Sequence, residues 1–182
     1  GYFVVYWRNA DMDFMVVYSA LAANAGKPIA FYDHPAYITI LSVEWWFALL
    51  HHLGLLDAWS LARIPSATDV PAFDAAMTHA VRAGRVLSFG IAIALILTFA
   101  ALVRRLTRDW RLTVLATLAF AFSGGLIQQM RIMRSEMIAS YLVILPLAAL
   151  MIAARVASRW RPLIFAAVGM SCMVALENKE IG

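Results

Sequence analysis

Two aspartates stand one residue apart in "YWRNADMDFMVVYSA" (6–20), just behind the apolar opening "GYFVVYW". A D-x-D pair of this kind offers hard oxygen donors that suit Mg²⁺ or Mn²⁺. One of the two carboxylates, Asp11 or Asp13, can instead take the proton from a hydroxyl. The same residues also fit helix capping, with Asp11 as cap of a helix starting near Met12 and Asp13 in its first turn. "YDHPAY" (32–37) adds His34, a third metal donor or a phosphate ligand, beside Pro35, which suits the first turn of a helix. Further on, "QQMRIMRSE" (128–136) brings Arg131, Arg134 and Glu136. Read as a helix, the two arginines are i, i+3 neighbours. Adjacent guanidinium groups repel unless they share an anion, and their planar forks match phosphate. The competing reading is a pair of arginines snorkelling to lipid headgroups. Lys179 lies between Glu177 and Glu180 in "ENKE", which makes either a surface ion-pair cluster or one more cation for a phosphate. The candidate metal ligands are thus Asp11, Asp13 and His34. The candidate phosphate ligands are Arg131, Arg134 and Lys179, with His34 and Glu136 in support.

What positions these groups is an unusually apolar chain. Hydrophobic residues make up 63% and charged residues 14% of it, against about 25% charged in a soluble domain. This composition belongs to integral membrane proteins. The net charge of +4 does not point to nucleic acid, because the arginines gather in short loops between apolar runs, the pattern of membrane topology. The single cysteine, Cys172, lies inside an apolar run, so no internal disulfide is available and a small core residue is expected there. The chain opens inside an apolar segment and stops just after another, so it reads as a piece of a longer polytopic protein, not active alone. No basic n-region precedes the opening, which argues against a signal peptide.

Four apolar runs, 86–103, 112–127, 137–154 and 162–176, approach the length needed to cross about 30 Å of hydrocarbon. None holds Asp, Glu, Lys or Arg. Residues 1–7 read as the end of an earlier span. Pro146 falls within the third run and is expected to kink it, which membranes tolerate. "FSGG" (122–125) reads as small residues for close helix packing. "RRLTRDWR" (104–111) and "RVASRWRP" (155–162) are short and arginine-rich, hence cytoplasmic. The loops 128–136 and 177–180 then face outward, so Arg131 and Arg134 are positive charges on the wrong side for charge bias to explain. Residues 8–80 form one large outer loop with helices over about 12–24 and 36–53 and a polar stretch from Asp57. The second helix carries Glu44, Trp45, Trp46, His51 and His52, which favours the membrane interface over a span. The fold expected is all-α: a polytopic transmembrane bundle whose first outer loop carries interfacial helices, with the acids and bases collected at the outer face.

The order of these pieces resembles the amino-terminal half of GT-C membrane glycosyltransferases, of the protein O-mannosyltransferase and aminoarabinose-transferase type and the related bacterial RgtA/B/C/D-like domain. The resemblance rests on Asp11 and Asp13 in the first loop and His34-Pro35 with Tyr37. It continues in Arg85 with Ser88, the basic turn at Arg104 and Arg105, and Arg134-Ser135-Glu136. Ala36 stands where the family has a second proline, and the acids are D-x-D where Asp-Glu is usual. The resemblance implies a polyprenyl-phosphate-linked sugar as donor and a lipid, glycan or protein hydroxyl as acceptor. It implies transfer with inversion, a first-loop aspartate as general base and cations at the leaving phosphate. Partial desolvation at the membrane would raise the pKa of that base towards working pH.

Two other classes compete. A transporter or flippase subunit would place charges deep in its spans or show inverted repeats, and neither is seen in the sequence. A non-catalytic assembly factor would tolerate replacement of both aspartates. No P-loop, G-x-G-x-x-G, H-E-x-x-H or paired C-x-x-C occurs.

Overall fold

The computed structural model describes residues 13–28, 36–153 and 158–177. Among them every regular element is helical. Seven α-helices follow in order: α1 (Asp13–Asn24), α2 (Tyr37–His52), α3 (Val70–Thr107), α4 (Trp110–Ala121), α5 (Gly124–Met130), α6 (Ser135–Ala153) and α7 (Arg161–Glu177). Short 3-10 turns at Leu61–Arg63 and Ser158–Trp160 complete the set.

The first two helices fall within a residue of where the sequence puts them. Both stop the same way. Gly26 and Gly54 take φ of +68° and +70°, a left-handed turn that a side chain resists. Lys27 and Leu55 then donate back to the carbonyls of Ala22 and Leu50 at 3.0 and 2.8 Å, closing each helix end with a Schellman pair of bonds.

The third helix departs from expectation. It starts at Val70, not at the apolar run beginning at Val86, and so absorbs much of the stretch read as polar loop. Asp69 caps it by accepting from the Ala72 N–H at 3.3 Å, and Pro71 sits in the first turn, where its missing N–H costs nothing. From Met77 to Leu95 one face is buried: Met77, Ala80 or Val81, Gly84, Ser88, Ala92 and Leu95 recur three or four apart. The opposite face changes character along its length. His79 and Arg82 are exposed and polar, and then Val86, Phe89, Ile93 and Leu97 are exposed and apolar. At 38 residues the helix is about 57 Å long, nearly twice the hydrocarbon thickness. Its second half alone covers a bilayer core.

The run at 112–127 is not one straight helix. It breaks at Phe122–Ser123, and α4 and α5 meet at a 59° bend. Ser123 causes the break: its hydroxyl accepts from the Leu126 N–H at 3.4 Å and caps a new helix. Among the described residues, "FSGG" packs against no other helix: a Cβ on Gly124 or Gly125 would meet nothing within 4 Å. By length and composition α3 is able to cross a membrane, and the bent α4–α5 pair is a second candidate.

The main core joins α1, α2, the first half of α3 and the α5–α6 turn. Val16, Val17, Leu21, Ile40, Phe47, Met77 and Met133 are its fully or almost fully buried members. Burial of each such side chain contributes about 1.5–3 kcal/mol. Gly84 lets α1 approach α3, for a Cβ there would lie 3.3 Å from Val17 Cγ2. Trp46 ties α2 to α3 by donating from Nε1 to the Ala83 carbonyl at 2.8 Å. Cys172, expected in the core, is exposed on α7. Its neighbour Ser171 takes the face towards α6, and adjacent helical residues point about 100° apart.

That serine repairs a defect made by Pro146, which lies inside α6. Proline has no N–H, so the carbonyl four residues back, at Leu142, loses its helical donor. Ser171 Oγ donates to that same Leu142 oxygen at 2.9 Å. Ser171→Ala is therefore expected to cost about 1–3 kcal/mol, and to cost markedly less in a Pro146→Ala background. A double-mutant cycle read by thermal unfolding measures the coupling; equal costs in both backgrounds would refute it.

Candidate functional site

The described part of the candidate site is the turn between α5 and α6. Arg131 is the residue after α5, exposed, with its N–H 3.3 Å from the Gln128 carbonyl. Arg134 is half-buried just before α6, and Glu136 is half-buried in the first turn of α6. The two arginines thus flank a turn and do not share a helical face as i, i+3 neighbours. The break has a physical cause. Met133 between them is fully buried in the main core, which pulls the chain out of helical register.

Ser88 holds this turn from below. It is fully buried on α3, and its hydroxyl lies 3.0 Å from the Ile132 carbonyl and 3.3 Å from that of Gln129. A hydroxyl has one proton, so the two carbonyls share it. The serine stands alone among apolar neighbours in "RVLSFGIAI", and that isolation is the sequence signal for a buried polar tie. Asn24 plays a matching part at the end of α1. Its side-chain amide donates to the carbonyls of Glu44 and Trp59 at 3.1 and 3.0 Å, joining α1, α2 and the segment after α2. Nothing in the sequence marks it.

Asp13 is the first residue of α1. Its side chain, and all of Asp11, His34 and Lys179, lie outside the described residues. Among the described residues no group of three His, Cys, Asp or Glu side chains gathers to hold a metal. What the structure does join is the scaffold. Val16, Val17, Ala20 and Leu21 of α1 share one core with Met133 and Ile138 on either side of Arg134. The helix that opens with Asp13 and the turn that carries both arginines therefore belong to a single packed unit.

The second helix has two apolar faces. Ile40, Val43 and Phe47 are buried, while Tyr37, Trp45, Leu49 and Leu53 form a stripe on the outside at intervals of four or eight. Trp45 is 73% exposed. A Trp–Tyr–Leu stripe is of the composition that the bilayer interface favours. His51 is not part of that stripe. Its ring stacks on Trp59 with centroids 4.8 Å apart, and Nδ1 lies 3.3 Å from the Leu56 carbonyl.

No protein-family model, curated protein or solved structure matches this chain.

Proposed function

We propose that this chain forms part of a multi-pass membrane glycosyltransferase of the GT-C kind, working on a polyprenyl-phosphate-linked sugar at the outer face. The observation that carries the reading is the α5–α6 turn. The backbone that carries Arg131 and Arg134 is fixed by Met133, buried in the same core as α1, and by Ser88, whose hydroxyl bonds the Ile132 carbonyl. Buried ties of this kind are excessive for charges that merely snorkel, and they suit an anion site that must be preorganised.

Several features support a membrane setting. Large apolar side chains are exposed along α3, α4, α6 and α7, among them Phe89, Leu115, Leu147 and Phe165. Contiguous apolar surface of this extent is rare on soluble proteins. The apolar face of α3 begins after Arg85, and the charge-free run from Val86 to Val103 spans about 27 Å, close to a bilayer core. The first-half core and the α5–α6 turn then stand at the outer boundary, with the arginine-rich α3–α4 turn at the inner one.

In the reaction, an aspartate of the pair takes the proton from the acceptor hydroxyl as its oxygen attacks the anomeric carbon. The bond from that carbon to the phosphate oxygen breaks, and the lipid phosphate leaves with the electron pair. Arg131 and Arg134, with Lys179, carry the charge that grows on the leaving group. Inversion follows from the single displacement.

The test uses the intact protein in native membranes with a panel of polyprenyl-phosphate sugars. At least one donor is expected to lose its sugar to an acceptor hydroxyl, with free lipid phosphate released in equal amount. Movement of the lipid-linked sugar between leaflets without cleavage would favour a flippase instead.

A further inference from the structure

The joint between α4 and α5 lies deep along α3. Just before it, Phe120 stacks on Phe99 with centroids 4.4 Å apart. Just after it, Leu126 shares a buried cluster with Ala92 and Leu95. These α3 positions stand about 9–20 Å along the helix from Val86. They fall in the middle of the charge-free run, so in a bilayer the joint sits well inside the hydrocarbon.

A break at that depth is expensive. The last carbonyls of one helix and the first N–H groups of the next have no partner within their own helix. Local bonds restore some of them. The Phe122 and Ser123 N–H groups donate to the Leu118 and Phe120 carbonyls at 2.9 and 3.1 Å, and the Ser123 hydroxyl accepts from the Leu126 N–H. The N–H groups of Gly124 and Gly125 gain no acceptor among the described residues. Both glycines are exposed, and no described atom outside the local backbone comes within 4 Å of where their Cβ atoms would stand. Irregular backbone at membrane depth survives only where protein covers it or water lines it.

The face above the joint decides between those two. Gly124, Gln128 and Arg131 follow at intervals of four and three, so they share one side of α5. All three are exposed. Arg131 keeps right-handed helical backbone angles, φ −89° and ψ −14°, so the face runs unbroken into the α5–α6 turn. The other side of α5 is spent on packing, with Leu126 and Met130 against α3 and α6. An exposed amide and guanidinium rising from a broken backbone are costly against lipid tails and suited to a water-filled cavity.

We propose that the Gly124–Gln128–Arg131 face of α5 lines a water-filled cleft, about 12 Å deep, open to the outer side at Arg131 and ending at the α4–α5 joint. Below Arg131 its lining is uncharged: a side-chain amide and backbone N–H and C=O groups. Such groups exchange hydrogen bonds with hydroxyls, so the cleft fits a neutral polyhydroxylated group better than an acyl chain or a second anion. It rests on the membrane reading of α3, α4 and α5, and not on glycosyl transfer.

The experiment measures thiol accessibility in the intact protein, in right-side-out membrane vesicles and a cysteine-free background that includes Cys172→Ser. Gly124→Cys, Gln128→Cys and Leu115→Cys are each treated from outside with a membrane-impermeant sulfonated methanethiosulfonate. Leu115 is an apolar residue of α4, 66% exposed, and serves as the lipid-facing reference. The reagent needs a thiolate, which forms in water and not in hydrocarbon. Gln128→Cys and Gly124→Cys are expected to react at least about tenfold faster than Leu115→Cys. Gly125→Cys, with the same open space around it, replaces Gly124→Cys if that variant loses its helical circular dichroism. Glycine-position cysteines as slow as Leu115→Cys would overturn the proposal, by showing the joint covered by protein or lipid. A fast Gln128→Cys beside a slow joint would overturn it too, since the polar face would then stop at the membrane surface. The membrane reading fails by a different sign: Leu115→Cys reacting as fast as Gln128→Cys, which would put water all round α4.

Discussion

Phe47→Ala is expected to destabilise the intact protein by about 3–5 kcal/mol, the usual cost of emptying a large aromatic site. Trp45→Ala, two residues away, is expected to stay within about 0.5 kcal/mol. The contrast follows from the faces of α2. Phe47 is fully buried in the core that also holds residues of α1, the first half of α3 and the α5–α6 turn. A core shared by several elements collapses into an emptied site only in part. Trp45 is 73% exposed and belongs to the stripe assigned to the interface. Its loss should leave the fold intact and change only how that stripe meets lipid. Chemical unfolding of both variants in the same detergent tests the pair. Similar stabilities for the two would mean that α2 is not docked by its Phe47 face. The Phe47 result also bears on function, because the same core holds the helix that starts at Asp13 and the methionine between the two arginines. Transfer activity should fall with the fraction folded and not independently of it.

How far the sequence carries is best seen element by element. Both short helices of the first loop were readable, because their ends are set locally: an acidic first turn or a proline at the start and a glycine at the stop. The first half of α3 was hidden by composition. Asp74, His79, Arg82 and Arg85 make the stretch look like loop, although Met77, Ala80, Val81 and Gly84 already keep the helical interval on the buried side. The period was present, and its partner was not: α1 and α2 supply the surface that makes a buried face worth forming. The bend at Ser123 turns on a single capping hydroxyl inside an apolar run, where length alone suggests a continuous span. Arg131 and Arg134 stand out in the sequence as candidates, but their place on a turn does not. Whether three residues continue a helix or turn depends here on Met133 entering a core built from α1, α2 and the first half of α3 and on Ser88 sharing its proton between two carbonyls. No local pattern encodes that. The all-helical class was legible from composition.

Asp11→Asn and Asp13→Asn are expected to part company: one loses sugar transfer by about 10²–10⁴-fold, the range for removing a general base, and the other keeps most of it. Asparagine is the informative replacement because the two explanations of these acids differ over it. As a helix cap, asparagine serves about as well as aspartate, so capping alone predicts two variants that fold and work like the parent. As a base, asparagine is useless, since an amide does not take up a proton at working pH. Alanine would confuse the two, costing about 1 kcal/mol of capping as well as the carboxylate. The measurement is kcat/KM for transfer from the best donor of the panel, alongside the thermal midpoint of each variant. A dead variant with an unchanged midpoint identifies the base. It also fixes which end of the attack trajectory faces Arg131 and Arg134, because the base must lie on the acceptor side and the arginines on the leaving-phosphate side. Two variants indistinguishable from the parent would leave the acids as caps, remove the carboxylate from the mechanism and return the basic turn to lipid-headgroup contact.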